Sequence, residues 1–149
     1  MSSQLDSATL TVRIVEELTI NGRNAGSKNS HIVGGISKTF NRVLSVPTTA
    51  VTALTVSSDE GGSQFDAGSL KYLRLTNLDD QNFVSLNFQS SGGVKAQFKL
   101  DPSRSMIFTN TAISGTSTGE SFGSFSSFST LSVTADTAPV DIEIFAAGI

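Results

Sequence analysis

The chain has 149 residues, a net charge of −3 from 10 Lys or Arg against 13 Asp or Glu, and no cysteine. That length fits one domain with enough interior to fold unaided, and the missing thiols exclude disulfides and cysteine metal sites. Basic residues are scattered singly and no apolar run approaches a membrane span, which argues against nucleic-acid and membrane partners.

Ser, Thr, Gly, Asn and Phe dominate, with few of the Ala, Leu, Glu and Lys runs that helices favour. Strands favour β-branched and aromatic residues and turns favour Gly, Asn, Asp and Ser, so the composition predicts an all-β protein. The first strand spans residues 9–18, where Leu10, Val12 and Ile14 alternate with Thr9, Thr11 and Arg13. It ends near Ile20, before the tight-turn pair Asn21-Gly22. Residues 23–30 read as a polar loop, and 31–46 as a second run carrying Ile32, Ile36, Phe40, Leu44 and Val46, bent or bulged at Gly34-Gly35. Pro47 closes that run because proline cannot donate to a ladder. A strand follows over 50–56, then a loop around Gly61-Gly62.

Residues 72–76 and 83–88 form a meander, with Leu73 and Leu75 on one face and Val84, Leu86 and Phe88 on another. The cleanest alternation is 94–100, where Val94, Ala96, Phe98 and Leu100 face a core and Lys95, Gln97 and Lys99 face water. Asp101-Pro102-Ser103 is a turn, Met106 to Phe108 a short strand, and 112–127 a Ser/Thr/Gly tract. Leu131, Val133 and Ala135, then Val140, Ile142 and Ile144, mark the last two strands. About eight or nine short strands joined by tight turns predict an antiparallel β-sandwich or jelly roll, with an up-and-down barrel as rival. The reading is one sandwich domain over 1–149, with 1–7 as an N-terminal arm that lacks the basic and apolar segments of a signal peptide.

Reactive chemistry is thinly supplied. His31 is the sole histidine, and with no cysteine it cannot complete a zinc site of the usual kind. It would also have to be the base of any serine triad, yet no Gly-x-Ser-x-Gly elbow accompanies it. Asp59-Glu60 and Asp79-Asp80 read as turn formers and Asp141 and Glu143 as solvent-facing strand positions, while the spaced acidic pattern of a calcium loop is missing. The Gly115 to Gly123 tract lacks the lysine of a phosphate loop. No catalytic, cofactor-binding or metal residue is assigned, and the reading is not of an enzyme. Phe122, Phe125 and Phe128 stand out, because phenylalanines in a Ser/Gly tract either anchor a partner or fold back beneath the sandwich.

The stretches 72–79, 82–84, 98–100 and 138–145 resemble small virion structural proteins of tailed bacteriophages. The resemblance implies a β-sandwich with no catalytic residues, working as a capsid decoration (cement) protein or as a neck, tail or fibre component. It also implies a virion location after assembly in the host cytoplasm, with the major capsid protein or other virion proteins as partners, and a homo-oligomer such as a trimer. The arm 1–7 and the segments 23–30 and 112–127 would then be contact elements. A carbohydrate-binding jelly roll is a third reading, weakened by the lack of Trp and the single Tyr for stacking a sugar ring.

Overall fold

The computed structural model describes residues 7–56, 65, 68–90, 92–110, 113 and 128–149, with the side chain of Phe128 outside that set. Twelve strands are present among them: β1 (Ala8–Val15), β2 (Thr19–Ile20), β3 (Arg23–Asn24), β4 (Lys28–Ile36), β5 (Lys38–Val46), β6 (Val51–Thr55), β7 (Leu70–Asn77), β8 (Val84–Ser90), β9 (Lys95–Leu100), β10 (Ser105–Thr109), β11 (Phe128–Ala135) and β12 (Val140–Gly148). They fall into two compact units, Met1–Ser37 and Lys38–Ile149.

The second unit is the sandwich. One sheet runs β10-β7-β12-β5 and the other β6-β11-β8-β9. Counted from β5, the first strand pairs with the last, β6 with β11, β7 with β10 and β8 with β9, all antiparallel. A ribbon nested in this way and folded across two sheets is the jelly-roll arrangement, which meets the sequence expectation and replaces the rival barrel. Its eight strands lie within the expected number, and four more belong to the first unit.

Alternation explains how the sheets face each other. On β12, Val140, Ile142, Ile144 and Ala146 are fully buried while Asp141 is exposed. Ile144 lies beside Leu75, and Ala146 beside Leu73. Across the gap, Val84, Leu86 and Phe88 of β8 meet Ala135, Val133 and Leu131 of β11 in adjacent pairs. These residues form one continuous core with Leu54, Phe65 and Leu100. Each buried Leu or Ile stabilises the sandwich by about 1.5–3 kcal/mol relative to exposure. Pro47 stands where the chain leaves β5 for the other sheet, and its carbonyl accepts from the Ala135 N–H at 2.9 Å.

The first unit is a two-stranded ribbon. Leu10 lies opposite Val33, Val12 opposite His31 and Val15 opposite Lys28, and the same register reaches Ile20 opposite Arg23. Asn21 and Gly22 close it with φ of 50° and 77°, the double left-handed turn that Asn-Gly favours. Two sequence expectations are corrected here. Residues 23–30 hold β3 and the start of β4 on the returning side of the ribbon and are not one loop, and the run 31–46 is two strands in different units, separated at Ser37.

Candidate interaction surfaces

The ribbon is exposed along most of its length. Glu16 and Ser27 exchange both backbone hydrogen bonds, at 2.8 and 3.1 Å. Antiparallel ladders alternate, so Thr11, Arg13 and Val15 turn their N–H and C=O groups away from β4. No described strand pairs with that outer edge, and the sheet is β1 and β4 alone. Val15 is 52% exposed, Leu18 50%, Ile20 52% and Ile32 74%. Main-chain groups along that outer edge thus have no strand partner among the described residues, next to aliphatic side chains that are half or more exposed. Near its middle, Gly26 packs so tightly that a Cβ there would strike the Glu16 carbonyl, and its N–H donates to Asn24 Oδ1 at 2.9 Å. A cleft of about 400 Å³ opens beside it, with Glu16, Glu17, Leu18 and Lys28 among its walls.

The sandwich offers an aromatic edge. Phe88, Phe98 and Phe108 meet edge to face, with ring centroids 5.2–6.5 Å apart. Phe98 points inward as the alternation of 94–100 predicts, yet it remains 44% exposed because β9 is an edge strand with no neighbour beyond it. Ile107, Phe108 and Ile113 line a shallow groove next to this cluster.

One end of the sandwich is fixed by a buried amide that the sequence reading missed. Asn77, at the end of β7, is 1% exposed. Its Nδ2 donates to the carbonyls of Asn82 at 2.9 Å and Leu100 at 3.2 Å, and its Oδ1 accepts from the Asp79 N–H at 2.9 Å. Asp79 then accepts from the N–H groups of Gln81 and Asn82 at 2.6 and 2.7 Å. Those two donors, Asn82 foremost, hold its carboxyl below the usual 3.8. Ser103, in the turn after Pro102 with φ of 58°, donates its N–H to the Asp79 carbonyl at 3.0 Å. In the sequence Asn77 falls in the polar stretch between the strands 72–76 and 83–88. Its position directly after the alternating 72–76 strand was the available signal.

Other sequence candidates are dispersed. His31 is exposed within β4. Glu143 pairs with Arg74 at 2.6 Å across β12 and β7, while Asp141 faces outward one pleat away. Among the described residues, no three His, Asp or Glu side chains converge to hold a metal ion. Asp59, Glu60, Phe122 and Phe125 lie outside the described residues, as do 1–6 of the expected arm and most of 112–127. Phe128 opens β11, its backbone opposite Ser90. Comparison with protein-family models, curated proteins and solved structures gives no match for this chain.

Proposed function

We propose that the chain is a structural component of a bacteriophage virion, specifically a capsid decoration protein that binds the major capsid protein on the outer shell as a homo-oligomer. The observation that carries this reading is the pairing, in one chain, of a close-packed jelly roll with a two-stranded ribbon whose edges and aliphatic side chains are exposed. A jelly roll recurs in capsid and lectin proteins, and the fold alone does not decide between them. The ribbon adds the missing element. Main-chain edges recruit strands from other proteins, and half-exposed Leu18 and Ile20, with the more exposed Ile32, supply apolar area for an assembly contact. The resemblance of 72–79 and 138–145 to virion proteins supports the same reading. On this account the protein leaves the host cytoplasm as part of a particle.

The test is antibody labelling and an electron-microscopy map of particles purified from lysates of the producing cells. Copies spread over the whole shell are expected. Labelling confined to one vertex would transfer the chain to the neck or tail, and particles free of it would overturn the virion reading.

A further inference from the structure

We propose that the outer edge of residues 10–20, from β1 through β2, pairs antiparallel with the same edge of a second copy, about a two-fold axis at Val15. The inference stands apart from the virion reading, because the pair forms or fails to form whatever particle the chain joins.

Thr11, Arg13 and Val15 direct their backbone groups outward, so a second copy of this edge can bond to them only with odd-numbered residues opposite odd-numbered residues. Every two-fold axis through a residue has that parity, so side-chain pairing must choose among them. An axis at Val12 leaves Arg13 opposite Thr11 and Glu16 opposite Ala8, with no charge matched. An axis at Arg13 sets arginine against arginine, and an axis at Glu16 sets glutamate against glutamate. Directly opposed like charges destabilise a ladder. An axis at Ile14 leaves Glu16 opposite Val12 and Glu17 opposite Thr11.

An axis at Val15 sets Arg13 opposite Glu17 twice, by symmetry. It also sets Thr11 opposite Thr19, Val12 opposite Leu18 and Leu10 opposite Ile20. Only Ile14 opposite Glu16 is mismatched. The sequence from Leu10 to Ile20 is thus complementary to its own reverse in both charge and polarity. Opposite charges, threonine pairs and aliphatic pairs are the cross-strand contacts that stabilise antiparallel sheets.

Exposure agrees with that register. Val15, Leu18 and Ile20, each about half exposed in the single chain, are the residues that gain apolar neighbours. Arg13 and Glu17 are both exposed, and among the described residues neither carries an ion pair. The tight approach at Gly26 lies on the returning strand, away from the edge that would pair. Joining two ribbons makes a four-stranded sheet, past the size at which strands become independently stable.

Sedimentation velocity on the full chain tests this directly. The wild type should form a dimer, and Arg13→Glu or Glu17→Arg alone should weaken it by about a hundredfold, equivalent to about 2.8 kcal/mol. An equimolar mixture of the two variants should recover the dimer, because the two reversed side chains then face each other as an opposite-charge pair, and the native Arg13 of one copy faces the native Glu17 of the other. The mixture also controls for misfolding, since a variant that had failed to fold would not be rescued by its complement. The chain has no native cysteine, so Val15→Cys under mild oxidation should give a disulfide-linked dimer across the axis. A wild type that stays monomeric at millimolar concentration, single reversals that leave association unchanged, or a mixture that does not recover it would overturn the proposal.

Discussion

Replacing Asn77 by Asp tests the buried amide at the end of the sandwich with almost no change of shape. The Asp79 N–H keeps an acceptor, but the two donors that satisfy Asn82 and Leu100 become an oxygen facing two carbonyls. Two net hydrogen bonds at about 1 kcal/mol each, plus the cost of leaving buried carbonyls unpaired beside an anion, come to about 3 kcal/mol at pH 7. A unit of roughly 110 residues unfolds with an entropy near 0.23 kcal/mol per kelvin, so its Tm should fall by about 13 °C. The deficit should depend on pH with a definite sign. Burial and the facing carbonyls raise the new carboxyl's folded pKa above its unfolded value of about 3.9. Below that value the acid is protonated in both states and donates one bond back. As pH rises through the raised folded pKa the variant loses stability. Native Asp79 titrates in the opposite direction, and its repulsion with a carboxylate at 77 adds to the deficit at pH 7 and is relieved in acid, with the same sign. Thermal melts of variant and wild type at pH 4 and pH 7 decide the matter. A variant within about 3 °C of wild type at pH 7, or a deficit that does not shrink in acid, would refute the reasoning.

Three further outcomes follow from the packing. Ile144→Ala, in the central strand β12, should cost about 3.5 kcal/mol and lower the Tm by about 15 °C, whereas Val43→Ala on the outer face of edge strand β5 should change it by no more than about 2 °C. Asp79 contributes stability that is present above about pH 4 and lost as pH falls through its lowered folded pKa, so Asp79→Asn should flatten the acid limb of a urea-midpoint profile between pH 2 and 5. Gly26→Ala should break the reciprocal Glu16 and Ser27 bonds, speeding amide exchange at both residues at least tenfold while the melting of Lys38–Ile149 stays unchanged.

Legibility in the sequence followed the reach of the physics behind each element. Strands with one buried face announced themselves, as with Val84, Leu86 and Phe88, because burial on one side imposes a period of two. The Asn21-Gly22 turn was equally plain, since few residue pairs accept two left-handed conformations. Residues 28–30 were not, because a ribbon strand exposed on both faces has no reason to alternate, and Lys28, Asn29 and Ser30 read as loop. The nested order of strands was hidden for a different reason. Val46 opposite Val140 is a pairing between distant stretches that no local pattern encodes. The amide of Asn77 was hidden likewise, since its partner Leu100 lies on another strand.

The place of β12 between β7 and β5 has a consequence for synthesis. Until residues 140–148 emerge from the ribosome, β5 has no partner and β7 is paired on one side only. The nascent chain must therefore hold apolar faces such as those of Leu73 and Leu75 in waiting until β12 is made. That sheet is completed when β12 enters between β7 and β5, both made before it. Such non-local closure slows folding and lengthens the interval in which open strand edges are at risk of pairing with the wrong chain.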